Sequence, residues 1–271
     1  MGIRLLALDV DGTIAGKSNQ VSEAVKTAIA EVQNRGIQVA IATGRMYRSA
    51  LRFHQAIGAQ LPIIAYNGAW IQDPATGEML RHSPLSLQSA KELLDYYENP
   101  QWRDRLDIHC YWDDLLYVRE STRYTAEYVE RAGIDANIAG DLRALLDRPP
   151  TKVLALSPDI EAIQQVTTDL KKRYLPSEIY LTQSSPYFLE ATHPNVNKGT
   201  AIRFLTEEIL GYSLENVMAM GDNYNDLEML QTVGLGIAMG DAPTGVQDVS
   251  KWVAPSVEAD GVAAAIAKFL L

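Results

Sequence analysis

Two aspartates one residue apart, Asp9 and Asp11, sit in Asp9-Val10-Asp11-Gly12-Thr13, directly after the apolar run Ile3-Arg4-Leu5-Leu6-Ala7-Leu8. A short apolar run that stops at Gly and acidic residues reads as a buried strand ending in a turn. In extended backbone, residues two apart lean to the same side, so both carboxylates can face one point. Such a pair can hold a divalent cation, and a carboxylate not so engaged can attack an electrophile or move protons. Taken alone, Asp-x-Asp is as well explained by a polar turn. An EF-hand loop is excluded, because Gly12 comes two places early and Gln20 stands where the bidentate Glu belongs.

The turn gains meaning from the elements that follow it. Ser22 is placed to cap a helix carrying Val25, Ala28, Ile29 and Val32 on one face, with Gly36 past its end. A second buried strand, residues 37–42, ends at Thr43-Gly44-Arg45, and another helix runs to about Gly58. A third strand, residues 62–66, ends at Asn67-Gly68. Strand, helix, strand, helix, strand at this spacing predicts a doubly wound parallel sheet, an α/β fold of the Rossmann-like kind.

From Ala69 the rhythm changes. A hairpin is expected around Asp73-Pro74-Ala75-Thr76-Gly77, then an amphipathic segment over 87–97 and a strand pair broken at Asp113-Asp114. Helices over about 122–132 and up to Tyr174 flank a strand at 152–156, and two strands near 179–181 and 187–189 follow. This reads as an inserted α+β unit. The α/β rhythm resumes after Asn197-Lys198-Gly199, with strands at 217–220, ending at Gly221-Asp222, and at 235–239, and a closing helix over 262–270. The expected division is a core of residues 1–82 and 187–271 around an insert of residues 83–186.

In an open parallel sheet the loops at the carboxyl ends of the strands share one edge, where ligands bind. That edge gathers Asp9, Asp11 and Thr13; Thr43, Gly44 and Arg45; Asn67 and Gly68; and Asp222, Asn225 and Asp226, with Lys198 from a helix start. Carboxylates from two strands suit Mg²⁺, which takes one or two of them plus waters and a phosphate. Thr43 offers a hydroxyl, Gly44 a backbone that a phosphate can approach, and Lys198 a compact positive charge. Helix N-termini add oriented N–H donors. The set fits phosphoryl transfer, where catalysis is mostly positioning and charge neutralisation. Each member alone is ordinary; their joint order is the signal.

The sequence resembles the haloacid dehalogenase superfamily of phosphatases through Asp9-Val10-Asp11-Gly12-Thr13, Thr43-Gly44-Arg45, Lys198 and Gly221-Asp222-Asn223-Tyr224-Asn225-Asp226. Tyr66-Asn67-Gly68-Ala69 and Asn197-Lys198-Gly199 are similar to the Cof-type branch with a type IIB cap. The resemblance implies Asp9 as the nucleophile that forms an aspartyl-phosphate, and Asp11 as the acid and then base. It implies Mg²⁺ held by Asp9, the backbone carbonyl of Asp11, and Asp222, with Asp226 behind them or reaching the metal itself. Thr43, Gly44, Lys198 and Asn225 are implied as phosphate binders. Arg45 and Asn67 are implied either as substrate contacts or as residues that order their loops. Glu190 is expected to pair with Lys198.

The interval from Thr13 to Ser22 leaves no room for a domain, so a lid over the acidic turn must come from the insert. Within it, Trp112-Asp113-Asp114 and Thr182-Gln183-Ser184-Ser185 are candidate substrate contacts, each equally readable as a plain hairpin turn. His109 and His193 read as structural.

With 271 residues, 47% hydrophobic and 21% charged, the chain has material for a real core. A net charge of −10 supplies no basic field, which argues against nucleic-acid and anionic-membrane partners. Cys110 is the one cysteine, so no intramolecular disulfide can form; it reads as a buried thiol. There is no signal-peptide pattern and no apolar stretch long enough for a bilayer, so a cytoplasmic protein is expected. The combined expectation is a Mg²⁺-dependent phosphatase of small phosphorylated metabolites, such as sugar phosphates or phosphorylated cofactors, acting as a monomer or weak homodimer. A phosphomutase or phosphotransferase on the same scaffold is the runner-up. A phospho-accepting signalling module fits less well, being about half this length and without an insert.

Overall fold

Every second residue of the first strand goes to a different core, and this sets the architecture. In the computed structural model, which describes residues 2–271, Leu6 and Leu8 of β1 (Leu5–Leu8) pack in one cluster and Leu5 and Ala7 in another, all at 0% exposure. A strand buried on both faces must be apolar at every position, hence the unbroken run that precedes Asp9.

In chain order, β1 is followed by α1 (Glu23–Asn34), β2 (Gln38–Ile41), α2 (Tyr47–Ala56), β3 (Ile63–Ala65), β4 (Trp70–Gln72) and β5 (Met79–His82). Next come α3 (Leu87–Tyr97), β6 (Asp107–Trp112), β7 (Leu115–Val118), α4 (Arg123–Ala132), β8 (Ala136–Ile138), β9 (Lys152–Leu156), α5 (Ile160–Arg173), β10 (Tyr180–Thr182) and β11 (Phe188–Thr192). The chain closes with α6 (Lys198–Arg203), β12 (Val217–Gly221), α7 (Leu227–Thr232), β13 (Leu235–Ala238), α8 (Thr244–Gln247), β14 (Trp252–Val253) and α9 (Gly261–Phe269).

Two compact units result: one holds the residues up to Arg81 together with Asn197–Leu271, and the other is His82–Val196. The second boundary therefore falls after residue 196 instead of 186. The reason is β11, which pairs antiparallel with β9 and β10 and so belongs to the inserted sheet.

Among the described residues, the first unit contains a parallel sheet in the order β14-β13-β12-β1-β2. One face is packed by α1 and α9 through Val25, Ile29, Val32, Val262 and Ile266, and the other by α6 and α7 through Ala201, Ile202, Met229 and Leu230. The doubly wound α/β core is therefore present. α1 is capped by the Ser22 side chain on Val25 N–H, and Gly36 takes φ +83° beyond its end. β3 differs from the expected sheet strand: it meets β2 through a single parallel bridge, Ala42 to Ile64, and pairs antiparallel with β4. β14, unforeseen because it is only two residues long, extends the sheet beyond β13.

In the inserted unit, a six-stranded sheet in the order β10-β11-β9-β6-β7-β8 packs its Cys110, Val153, Ala155, Leu189 and Ala191 side against Leu93, Leu94, Ile163 and Val166 of α3 and α5. Asp113 and Asp114 form the β6–β7 turn, both at positive φ, the geometry of a two-residue type I′ hairpin. The opposite side of the sheet carries Lys152, whose ammonium lies 2.9 Å from Glu190, with both side chains buried. The expected partnership of Glu190 with Lys198 is thus replaced: Glu190 sits on β11 one strand from Lys152, and also accepts the Ser184 hydroxyl. His109 is fully buried and its Nε2 contacts Thr125 Oγ1 at 3.0 Å, while His193 offers Nδ1 to the Asn195 N–H. No helix among the described residues is long and apolar enough to cross a membrane.

Candidate active site

The chain leaves β1 for β2 on one side of the sheet and later returns to β12 on the other, so the direction of winding reverses between β1 and β12. At such a switch point the loops beyond the strands part and leave a crevice. β1 and β12 run in register, Leu8 beside Met220, and Asp9 N–H donates to the Met220 carbonyl at 3.0 Å. Asp9 and the Gly221-Asp222 turn are thereby held side by side by backbone.

Glycine makes the approach possible. A β-carbon on Gly12 would lie 2.1 Å from Asp222 Oδ2, and one on Gly221 would lie 2.3 Å from Asp226 Cγ. Gly12 also takes φ +76°, a conformation that L side chains disfavour. The carboxylates of Asp9, Asp222 and Asp226 each bring an oxygen within 4.8 Å of the others.

Lys198 is the counter-charge. Asn197 caps α6, its side chain accepting from Thr200 N–H, and this fixes Lys198 at the first helical position. Its ammonium lies 2.6 Å from Asp9 Oδ1 and 2.6 Å from Asp226 Oδ1, with the lysine itself at 0% exposure. Burial works against the ammonium, but the carboxylates of Asp226 and Asp9 outweigh it and hold its pKa above the ordinary lysine range. The carboxylates respond in the opposite sense. Burial, then the charge of Asp226, raises Asp9 to about 7 against the pull of Lys198, and burial with Asp9 and Asp226 raises Asp222 well above the usual range. Three clustered carboxylates, those of Asp9 and Asp226 buried and that of Asp222 partly so, share one ammonium, an excess of negative charge that suits a divalent cation. The donor set of hard oxygens fits Mg²⁺.

The aspartates are not equivalent within this group. Asp226 Oδ1 takes Lys198, and its Oδ2 accepts the N–H groups of Asp222 at 3.0 Å and Asn223 at 3.1 Å. It braces the turn and the lysine together. Asp9 and Asp222 are the carboxylates better placed to hold a cation. Asp11 stands outside the cluster; its carboxylate is gripped by Arg45, Nε to Oδ2 at 2.6 Å and Nη2 to Oδ1 at 2.7 Å.

The remaining residues come from the ends of β2 and β3. Thr43 N–H donates to the Ile64 carbonyl at 2.8 Å, and Asn67 N–H to the Thr43 carbonyl at 2.9 Å. Tyr66 and Asn67 both take positive φ, 51° and 57°, an unfavourable conformation for tyrosine of the kind found where backbone is shaped for a site. Asn67 Oδ1 accepts Asn225 Nδ2 at 3.0 Å, and a β-carbon on Gly44 would lie 3.1 Å from Asn67 Oδ1. The side-chain oxygens Asn225 Oδ1 and Thr13 Oγ1 are buried with no hydrogen-bond partner among the described residues. Thr43, Gly44, Asn67 and Asn225 thus form one polar wall. Residues not foreseen as part of the site are Asn19 and Ser49, which accept from Arg45 Nη2 at 2.8 Å and Nη1 at 3.1 Å. Asn19 is at φ +56°, and asparagine in a turn-rich stretch was the one available signal.

Comparison with known proteins agrees with this geometry. Residues 6–266 match the family described as haloacid dehalogenase-like hydrolase. The chain is 30% identical over 272 residues to 5-amino-6-(5-phospho-D-ribitylamino)uracil phosphatase YcsE of Bacillus subtilis, covering 99% of this chain and 96% of that one. It is 31% identical over 248 residues to the HMP-PP phosphatase of Cronobacter sakazakii, covering 88% and 85%. Among solved structures it is similar to BT1666 from Bacteroides thetaiotaomicron, from a study of phosphatases of this superfamily, with a TM-score of 0.80, 25% identity, and coverage of 99% and 95%. With the acidic cluster, its buried lysine and the polar wall all lying inside the matched span, the chain belongs to the haloacid dehalogenase-like hydrolases and is a phosphatase of that family.

Proposed function

We propose that the protein hydrolyses small soluble phosphomonoesters, sugar phosphates or phosphorylated cofactors, through an aspartyl-phosphate on Asp9 with Mg²⁺ as cofactor. The observation that carries this reading is Asp9, 4% exposed, at the switch point beside Asp222, with Lys198 on one of its oxygens. The YcsE phosphatase and the HMP-PP phosphatase are named for small phosphorylated metabolites, which supports the substrate class.

In this reading Asp9 attacks phosphorus, a P–O bond to Asp9 forms, and the bond to the leaving alcohol breaks. Asp11 gives that oxygen a proton. Water then attacks the phosphoaspartate, Asp11 takes a proton from it, and the Asp9–phosphorus bond breaks to release inorganic phosphate. Lys198, Thr43, the Gly44 N–H and Asn225 bind the phosphoryl oxygens, with Asn67 orienting Asn225. Asp9, the Asp11 backbone carbonyl and Asp222 would hold Mg²⁺, and Asp226 would support them from behind. When bound, the cation neutralises phosphoryl charge and acts as a Lewis acid. The inserted unit is read as the lid that the short Thr13–Ser22 interval calls for.

The test is phosphate release from a panel of phosphorylated metabolites, with Mg²⁺ and with EDTA. Turnover of several panel members that stops in EDTA and returns with Mg²⁺ is expected. Label passing to a second sugar with little free phosphate would replace the hydrolase by a phosphotransferase, and an undiminished rate in EDTA would remove the metal.

A further inference from the structure

We propose that Arg45 is a positioning residue: it holds the Asp11 carboxylate in its working orientation and makes no fork on the substrate. The proposal rests on the reading of Asp11 as the acid and base of a phosphoester hydrolysis.

A guanidinium has five N–H donors, and the partners of four of them are fixed here. Nε goes to Asp11 Oδ2 at 2.6 Å and Nη2 to Asp11 Oδ1 at 2.7 Å. The second Nη2 hydrogen goes to Asn19 Oδ1 at 2.8 Å, and one on Nη1 goes to Ser49 Oγ at 3.1 Å. A bidentate grip on a phosphate needs two parallel N–H groups, and one N–H on Nη1 is all that remains among these bonds. The guanidinium also lies 4.7 Å over the Phe53 ring, and its side chain is only 9% exposed. Arg45 is therefore committed before any ligand arrives.

Asp11 is the opposite case. Its side chain is 41% exposed and short, so without a partner it would sample several rotamers in water. The side-on pair with Nε and Nη2 fixes both torsions. A carboxylate offers about four lone-pair sites, and the Arg45 fork takes one on each oxygen. Asn19 and Asp11 are separated by the loop that folds back through the bridges Asp11–Ala15 and Ala15–Val21. Arg45 thus ties both ends of that loop to the start of α2 with one planar group.

The two roles for Arg45 separate by leaving group. An alkoxide needs the Asp11 proton, whereas 2,4-dinitrophenolate leaves without one. With Mg²⁺, Arg45→Ala is expected to lower kcat/KM for glucose 6-phosphate by about 10²-fold and that for 2,4-dinitrophenyl phosphate by less than about threefold. Arg45→Lys, which keeps the charge and the stem over Phe53 but lacks the fork, should show the same selective loss. Adding Arg45→Ala to Asp11→Asn should cost nothing further on glucose 6-phosphate, since the group being held is gone. Equal losses on both esters, additive losses in the double variant, or an unimpaired Arg45→Lys overturn the positioning role. If Asp11→Asn itself treats the two esters alike, the acid–base reading falls and takes this proposal with it.

Discussion

Asp226 accepts the Lys198 ammonium at 2.6 Å with neither side chain exposed, and in doing so makes the lysine part of the turn that presents Asp222. A single buried cation therefore holds together two carboxylates from opposite sides of the winding reversal, Asp9 and Asp226. Lys198 thus has a part in the fold, besides the phosphate binding proposed for it.

Replacing it shows both roles. Lys198→Met leaves three clustered carboxylates without a cation, and losing one partner of a buried ion pair costs about 3–5 kcal/mol. The urea midpoint in EDTA should fall accordingly, and Mg²⁺ should restore part of the loss because a divalent cation satisfies the same carboxylates. Catalysis should remain at least about 10²-fold down even with Mg²⁺. A variant as stable as the parent in EDTA would show that the lysine does not offset the carboxylates.

Asp9→Asn removes the proposed attacking group and one negative charge, leaving the shape of the residue. Turnover should drop by on the order of 10³-fold or more, while the fold and phosphate binding persist. Asp222→Ala should instead raise the Mg²⁺ concentration needed for half-maximal rate, as loss of a metal-holding carboxylate does. Activity titrations against Mg²⁺ separate the two variants. Substantial residual activity in Asp9→Asn would mean that a different residue attacks.

How far these features could be read from sequence depends on whether their cause is local. Asp9 and Asp222 follow unbroken apolar runs, Leu5–Leu8 and Val217–Gly221, and residues at the ends of buried strands meet at one sheet edge whatever the loops do. Ser22 and Gly36 were legible because capping is decided within four residues. Pairings between distant segments were not. Glu190 was expected beside Lys198, eight positions on, yet the register of β11 with β9 brings it to Lys152 instead. β11 likewise moved the boundary between the units, since only its pairing with β9 and β10 shows that the whole of Phe188–Thr192 belongs to the inserted sheet. The Arg45 contact with Asn19 depends on a left-handed residue in a loop, which no periodicity announces.

Cys110 should be chemically silent. It lies on β6 at 0% exposure within the inserted unit's core, and burial pushes its thiol up, so the reactive thiolate is scarce. Iodoacetamide at pH 8 should leave the native protein unlabelled and alkylate it fully in denaturant. Rapid labelling of the native chain would show that β6 opens locally, well below the cost of global unfolding.

His109 should give the inserted unit a measurable sensitivity to acid. Burial first, and the charge of Lys152 second, lower its pKa to about 3, whereas the unfolded chain restores a value near 6.5. Between these values the unfolded state binds the extra proton, so stability rises with pH. The contribution is complete above about pH 6.5 and is lost progressively as pH falls toward about 3, with a slope near 1.4 kcal/mol per pH unit for one proton. His109 Nδ1 has no hydrogen-bond partner among the described residues, so no acceptor waits there to stabilise the charged ring. In His109→Gln the unfolding free energy should change with pH less steeply between 6 and 4, by about one proton's worth. Urea unfolding at a series of pH values measures that slope directly. Parallel curves for parent and variant would show that His109 keeps an ordinary pKa in the folded chain.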